Sequence, residues 1–442
     1  MSFRGLLVAL GTLIVLGGGV WWSNKAKKAD EGKPDKDAPP KILSIPEDQF
    51  KEVQLKRASG ETTVVKKGDD AKWSITEPKG LRADQESVNS MVSSLSSLTS
   101  DRLIEEKAAN LGEFGLEKPP LEVVVTKKDG KTEKLLIGDD TPTSGGAFAK
   151  LANDPRVFTV ASWVKTNVDK KSADLRDKRL LTFDSDKITR VELQGKGAPI
   201  EFGKNNQNEW QILKPKPLRA DGSQVEDLIR KLKDAKMDTS VSEEDSKKHA
   251  AAFNSGAKVA VALVTDAAGT QQLEARKDKD KNYYVKSSVV EGIYKAGSDL
   301  GEQVDKNLES YRNKKLFDFG WNDPGKVEVN KTVYQKSGDK WMAGSKQMDS
   351  SSIQALIDKL RDLQATKFLE TGAGSQILEA AVTSNDGKRV EKVSISKQGE
   401  SFLAKRENEL TVYELDKKAV EDLQKAASEV KEFQPPKESK KK

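Results

Sequence analysis

Residues 73–84 read WSITEPKGLRAD, and residues 210–221 read WQILKPKPLRAD. Trp73, Ile75, Pro78, Leu81, Arg82, Ala83 and Asp84 thus recur as Trp210, Ile212, Pro215, Leu218, Arg219, Ala220 and Asp221. A third version, Trp341 to Asp349 (WMAGSKQMD), keeps the tryptophan and the aspartate around a shorter loop. After each aspartate comes an apolar stripe at spacing i, i+3, i+4, i+7, i+10. Its members are Val88, Met91, Val92, Leu95 and Leu98, then Val225, Leu228, Ile229, Leu232 and Ala235, then Ile353, Leu356, Ile357, Leu360 and Leu363. Such spacing places all five on one helix face. The aspartate stands just ahead of the helix, where the first turn leaves backbone N–H groups without partners and a carboxylate can accept from them. Gln224 adds a capping-box arrangement in the second copy.

Beyond each helix the period changes to two. Val123/Val125 match Val259/Val261, and Leu135/Ile137 match Leu273/Ala275 and Val393/Ile395. Phe148-Ala149-Lys150 matches Tyr284-Val285-Lys286 and Leu403-Ala404-Lys405. Val157-Phe158-Thr159-Val160 then matches Ile293-Tyr294-Lys295-Ala296 and Val412-Tyr413-Glu414-Leu415. Alternating β-branched and aromatic residues mark strands with one buried face. Copies one and two close on Leu175-Arg176-Asp177-Lys178-Arg179-Leu180-Leu181 and Tyr311-Arg312-Asn313-Lys314-Lys315-Leu316-Phe317. Copy three closes on a helical stretch, Ala419 to Val430. A period of about 135 residues is too long for a solenoid and implies tandem domain duplication. The expected fold class is α+β: three two-layer modules, each an antiparallel sheet with one main amphipathic helix.

Residues 5–22 (Gly5 to Trp22) carry no charge and end on Trp21 and Trp22. As a helix they span about 27 Å at ~1.5 Å per residue, close to the ~30 Å hydrocarbon thickness. The expected organisation is a short flank (1–4), a single transmembrane helix (5–22) and a disordered tether (23–41). Modules follow at 42–184, 185–320 and 321–433, and a basic tail at 434–442. A cleaved signal peptide is the alternative for the apolar segment. Lys25, Lys27 and Lys28 nearly balance Arg4 and the amino terminus, so a short flank before a long polar region argues for N-terminus in and bulk out. The expectation is a cytoplasmic (inner) membrane location with the modules extracytoplasmic, in the periplasm.

The W-x-I-x-x-P order, the following x-R-A-D and helix, Phe114-Gly115-Leu116 with Pro119, the Leu-Leu-Ile-Gly strand at 135–138 and the segment Asp174-Leu175-Arg176-Asp177-Lys178 resemble the bacterial domain-of-unknown-function 4340 family. The resemblance covers most of residues 45–320, with a degraded copy beyond that lacks the proline after its tryptophan, the Gly-Leu segment and the Leu-Arg-Asp segment. It implies a membrane-anchored companion of an ABC-type export permease or of gliding-motility-like auxiliary subunits. No activity comes with it.

Of 442 residues, 76 are Lys or Arg and 70 are Asp or Glu, a net charge of +6 with both signs interspersed. That is a solvated surface rather than a nucleic-acid footprint. With no cysteine and one histidine, His249, thiolate chemistry is excluded, as are zinc hydrolysis and the common triads in their usual forms. Phosphate-cradling glycine loops are missing. No residue qualifies as catalytic, cofactor-binding or metal-ligating, and no cofactor is expected. The repeated aspartates read as helix caps and the tryptophans as core, with stacking platforms for sugars or bases the alternative. Arg176 and Arg312 either grip an anion or pair with a nearby acid. His249, in a charged run, reads as exposed. The function expected is a non-enzymatic structural or interaction protein of a membrane complex, with the membrane and other complex subunits as partners, no nucleic acid, and any small-molecule ligand unspecified. An envelope glycan- or lipid-binding module is the alternative, and a carboxylate-based hydrolase the third reading.

Overall fold

The computed structural model describes residues 40–435, apart from 143–144 and 322–323. The flank, the apolar segment 5–22, most of the tether and the tail from 436 lie outside the described residues. Among those described, no helix is long and apolar enough to cross a membrane. Two compact units meet in the chain at Lys178/Arg179.

The first unit opens with β1 (Lys41–Ser44), whose first residue alone falls in the stretch assigned to the tether, and contains one large antiparallel sheet. Its strands are β2 (Phe50–Arg57), β3 (Thr62–Lys67), β4 (Trp73–Glu77), β5 (Leu81–Arg82), β7 (Arg102–Glu105), β8 (Leu121–Lys127), β9 (Thr132–Asp140), β10 (Gly146–Leu151) and β11 (Val157–Ala161). They lie in the order β5-β4-β3-β2-β8-β9-β10-β11-β7, and β1 pairs separately with β6 (Ser97–Thr99). The helices are α1 (Gln85–Ser96), α2 (Ser162–Val168) and α3 (Ser172–Leu175).

Two further sheets form the second unit. One holds β12 (Arg190–Gln194), β13 (Ile200–Lys204), β14 (Trp210–Lys214), β15 (Leu218–Arg219), β16 (Ala257–Asp266), β17 (Gly269–Lys277), β18 (Tyr283–Ser287) and β19 (Ile293–Ala296). Its order is β15-β14-β13-β12-β16-β17-β18-β19. With it go α4 (Gly222–Asp234), α5 (Glu243–Ser255), α6 (Ser298–Val304) and α7 (Leu308–Tyr311). The other holds β20 (Lys326–Val329), β21 (Thr332–Ser337), β22 (Lys340–Ala343), β23 (Lys346–Gln347), β24 (Ala365–Leu369), β25 (Ser375–Ser384), β26 (Arg389–Gln398), β27 (Ser401–Arg406) and β28 (Val412–Leu415). It runs β23-β22-β21-β20-β25-β26-β27-β28-β24, with α8 (Ser350–Arg361) and α9 (Lys417–Ser428). All three sheets therefore follow one strand plan.

Every residue of the three helical stripes is buried, Val88 to Leu98, Val225 to Ala235 and Ile353 to Leu363 alike. Each stripe closes one face of its sheet, where alternate residues such as Val123/Val125, Ala262/Val264 and Val393/Ile395 point inward. The expected match of Val123/Val125 to Val259/Val261 is out of register, since Val123 lies opposite Leu135 as Ala262 lies opposite Leu273. Burying one such aliphatic side chain contributes about 1.5–3 kcal/mol, so the stripe dominates each core.

The copy boundaries differ from the sequence expectation. Leu180, Leu181 and Phe183 pack in the core of the second sheet, and Leu316 and Phe317 in that of the third. Arg179 bridges Lys236 beyond the end of α4, and Lys315 bridges Gln364 beyond α8, as Lys41 pairs with Thr99 beyond α1. These residues open a copy rather than close one, because their backbone pairs with the segment leaving that copy's own main helix. The closing residues stop earlier. Asp84 N–H donates to the Leu175 carbonyl (2.8 Å) and Asp221 N–H to Tyr311 (2.8 Å), while Arg176 and Arg312 bridge Ala83 and Ala220. The third copy closes the same way without the motif: Asp349 N–H donates to Lys431 (2.9 Å), and Glu432 bridges Met348. Backbone pairing needs no particular side chain, so this closure left no trace in the sequence.

Candidate interaction site

Each repeated aspartate caps its helix. Asp84 accepts from Ser87 N–H at 2.9 Å, Asp221 from Gln224 N–H at 3.2 Å and Asp349 from Ser352 N–H at 2.9 Å. The capping box expected at Gln224 does not form. Asp221 N–H is taken by the Tyr311 carbonyl, and Gln224 Oε1 instead accepts from Lys306 Nζ at 2.7 Å. The repeated indoles are core: Trp73, Trp210 and Trp341 are 3%, 7% and 7% exposed. Lys67 and Lys204 lie over the first two rings, at 5.5 and 5.0 Å from the centroids. Trp163 and Trp321, which do not repeat, are 59% and 80% exposed. His249 is half-buried rather than exposed. Its charged run folds as α5, whose inner side brings the imidazole to 5.5 Å from the Tyr284 ring. No metal-capable cluster of three ligands occurs among the described residues.

Arg312 resolves toward the ion-pair reading. It pairs with Glu309 (3.1 Å), donates to Thr411 Oγ1 (3.0 Å) and stacks 3.7 Å from the centre of the Phe368 ring. Beside it lies a partly buried charge network that joins the second sheet to the third. The Arg219 guanidinium pairs with Asp318 and donates to the Lys315 carbonyl at 2.7 Å. Glu391 accepts from Asp318 N–H (2.9 Å) and pairs with Arg406 (3.0 Å) and Arg389 (3.3 Å). Arg406 also pairs with Glu409 (2.7 Å), and Arg389 reaches Glu209 on the second sheet at 2.6 Å. Burial disfavours the charge on Arg219, yet the Asp318 and Glu409 carboxylates outweigh it and hold the pKa above the ordinary arginine value. Burial, and then Glu409, push the Tyr413 phenol up to about 12. Acids saturated by arginines at these distances form a fixed joint. Among these, Arg219 stood in the quoted x-R-A-D motif without an assigned role. The acids, scattered through the third copy, carried no sequence signal.

A second feature concerns the edges. Sheets one and three each end on a ninth strand, β7 beside β11 and β24 beside β28. Sheet two ends on β19. The homologous segment Asp238–Ser242 is held in a turn by Asp238, which accepts from Ser240 N–H (2.8 Å) and Ser240 Oγ (2.6 Å). Ser242 then caps α5, accepting from Asp245 N–H at 3.1 Å. A cleft of about 640 Å³ remains, lined by that segment, by Asp245, Ser246 and His249 of α5, and by the whole of β19.

Three antiparallel sheets on one strand plan, each closed by a capped helix, define a repeated α+β scaffold whose motif-bearing side chains serve folding. Residues 73–252 and 210–380 match the family described as Domain of unknown function (DUF4340), two overlapping stretches that cover well over half of the chain. The chain belongs to that family, in tandem form. No curated protein and no solved structure matches it.

Proposed function

We propose that this chain is a non-enzymatic, membrane-anchored structural or interaction protein, an auxiliary component of an ABC-type export or motility complex. In this reading residues 5–22 form a single transmembrane helix with the N-terminus in the cytoplasm, and three tandem modules stand on the extracytoplasmic side. One observation carries it: the side chains repeated in all three copies are committed to folding, the indoles buried and the aspartates bound to helix N–H groups. What each copy leaves to its surroundings is sheet edge and polar surface, the raw material of protein contacts. Photo-crosslinking in native membranes, followed by identification of the captured species, is the test. Capture of a membrane-complex subunit supports the proposal, and recovery of glycan or lipid alone overturns it in favour of the second reading. That second reading, an envelope glycan- or lipid-binding module, draws on the exposure of Trp163 and Trp321.

A further inference from the structure

We infer that the outer edge of β19 is a strand-addition site that takes an extended segment of a partner protein. This rests on the interaction reading above and names the surface used.

The chain itself supplies the template. β10–β11, β18–β19 and β27–β28 are equivalent hairpins, since Ala149 pairs with Phe158, Val285 with Tyr294 and Ala404 with Tyr413. Against β11 lies β7, with Leu103 opposite Phe158. Against β28 lies β24, with Phe368 opposite Tyr413 and the two rings 5.7 Å apart. In both sheets the ninth strand is antiparallel and sets one large apolar side chain beside the ring. Counting from the matched pairs Lys41–Thr99, Arg179–Lys236 and Lys315–Gln364, Ser240 occupies the place of Leu103 and Phe368. Serine cannot supply that packing. The Asp238 turn and the Ser242 cap hold its segment out of the sheet, because short polar side chains bond the local backbone and compete with ladder pairing.

The result is a strand edge with no strand on it and a cleft alongside. An unpaired edge is a template for another chain; α5 packs beside β19, and the cleft between them runs the length of the strand. The template also specifies the occupant. It is four or five extended residues antiparallel to β19, with one large apolar or aromatic side chain facing Tyr294, as β7 (four residues) and β24 (five residues) provide in the sister sheets.

The test uses the full chain and a peptide copying residues 364–370 (QATKFLE), the strand that fills the equivalent place in sheet three. Hydrogen exchange should show slowed amides within 293–296 when the peptide is present at millimolar concentration. Replacing the peptide phenylalanine by serine should weaken binding at least about tenfold. N-methylating its amides along one edge, and then along the other, removes backbone donors while keeping every side chain, and one of the two peptides should lose binding altogether. Absence of protection in 293–296, or full binding by both N-methylated peptides, overturns the inference. Failure of the functional proposal looks different: the peptide would pair with β19 while crosslinking in native membranes captured no protein.

Discussion

Asp84 and Asp349 show how much meaning a repeated residue holds at its own scale. A conserved-looking acid in three copies invites a catalytic role, but each of these carboxylates accepts a first-turn N–H of its helix. Asp84→Ala is expected to destabilise the fold by about 1 kcal/mol in chemical denaturation, and Asp84→Asn by much less, since asparagine also caps. The Asp349 carboxyl is held below its ordinary range, first by the Ser351 hydroxyl and then by Ser352 N–H. A folded pKa below the unfolded one means that the cap stabilises fully above the unfolded value of about 3.9, and that this is lost as pH falls through the folded value. The difference in Tm between wild type and Asp349→Ala should therefore be largest near pH 6 and narrow toward about pH 3. A difference that grows on acidification would contradict the cap. The tryptophans were legible for a related reason. A residue that recurs on a strand opposite an aliphatic stripe has one economical explanation, and Trp73, Trp210 and Trp341 all lie in cores. The burial of His249 was not legible, because its charged run masks a helix with one inward side.

Elements were legible wherever their period is strong. The three stripes named α1, α4 and α8, and alternation named the strands from β8 onward, β16 onward and β26 onward. Leu228→Ala, at a fully buried stripe position, is expected to cost about 2–5 kcal/mol, read as a shift in denaturant midpoint. The charge joint was not legible, since Asp318, Glu391 and Glu409 have acidic side chains indistinguishable in sequence from surface ones until the fold gathers them. Glu391 is 3% exposed and touches two arginines. Glu391→Ala takes one acid from two arginines that keep Glu409 and Glu209, strips Asp318 N–H of its acceptor, and should destabilise the second unit by about 1–3 kcal/mol. At the exposed rim of the same joint, Lys216 and Glu370 pair at 2.7 Å, and Glu370→Gln should leave the midpoint unchanged. Equal effects from the two substitutions would show that the joint is not buried in solution. The missing ninth strand of sheet two also escaped the sequence reading. A turn-forming Asp-Thr-Ser is visible, but its consequence appears only beside two sister sheets that hold a strand there.

At the scale of the whole molecule, one strand plan has been used three times, and the differences between copies lie where the copies meet their surroundings. The third copy closes on Lys431–Phe433 with no trace of the Leu-Arg-Asp segment, because the bonds involved are backbone ones. Boundaries were misplaced by several residues for the same reason: Leu180 and Leu316 follow the closing motif directly but pack forward, into the cores that they open. Sheet two, alone among the three in lacking a ninth strand among the described residues, is where a partner finds an edge. The most direct test of this account places a photo-reactive amino acid at Lys295, in the middle of β19, in the full chain within native membranes. The account predicts capture of a protein subunit of a membrane complex, reduced by competing QATKFLE peptide. Capture of lipid or glycan alone, with no protein adduct, would contradict it.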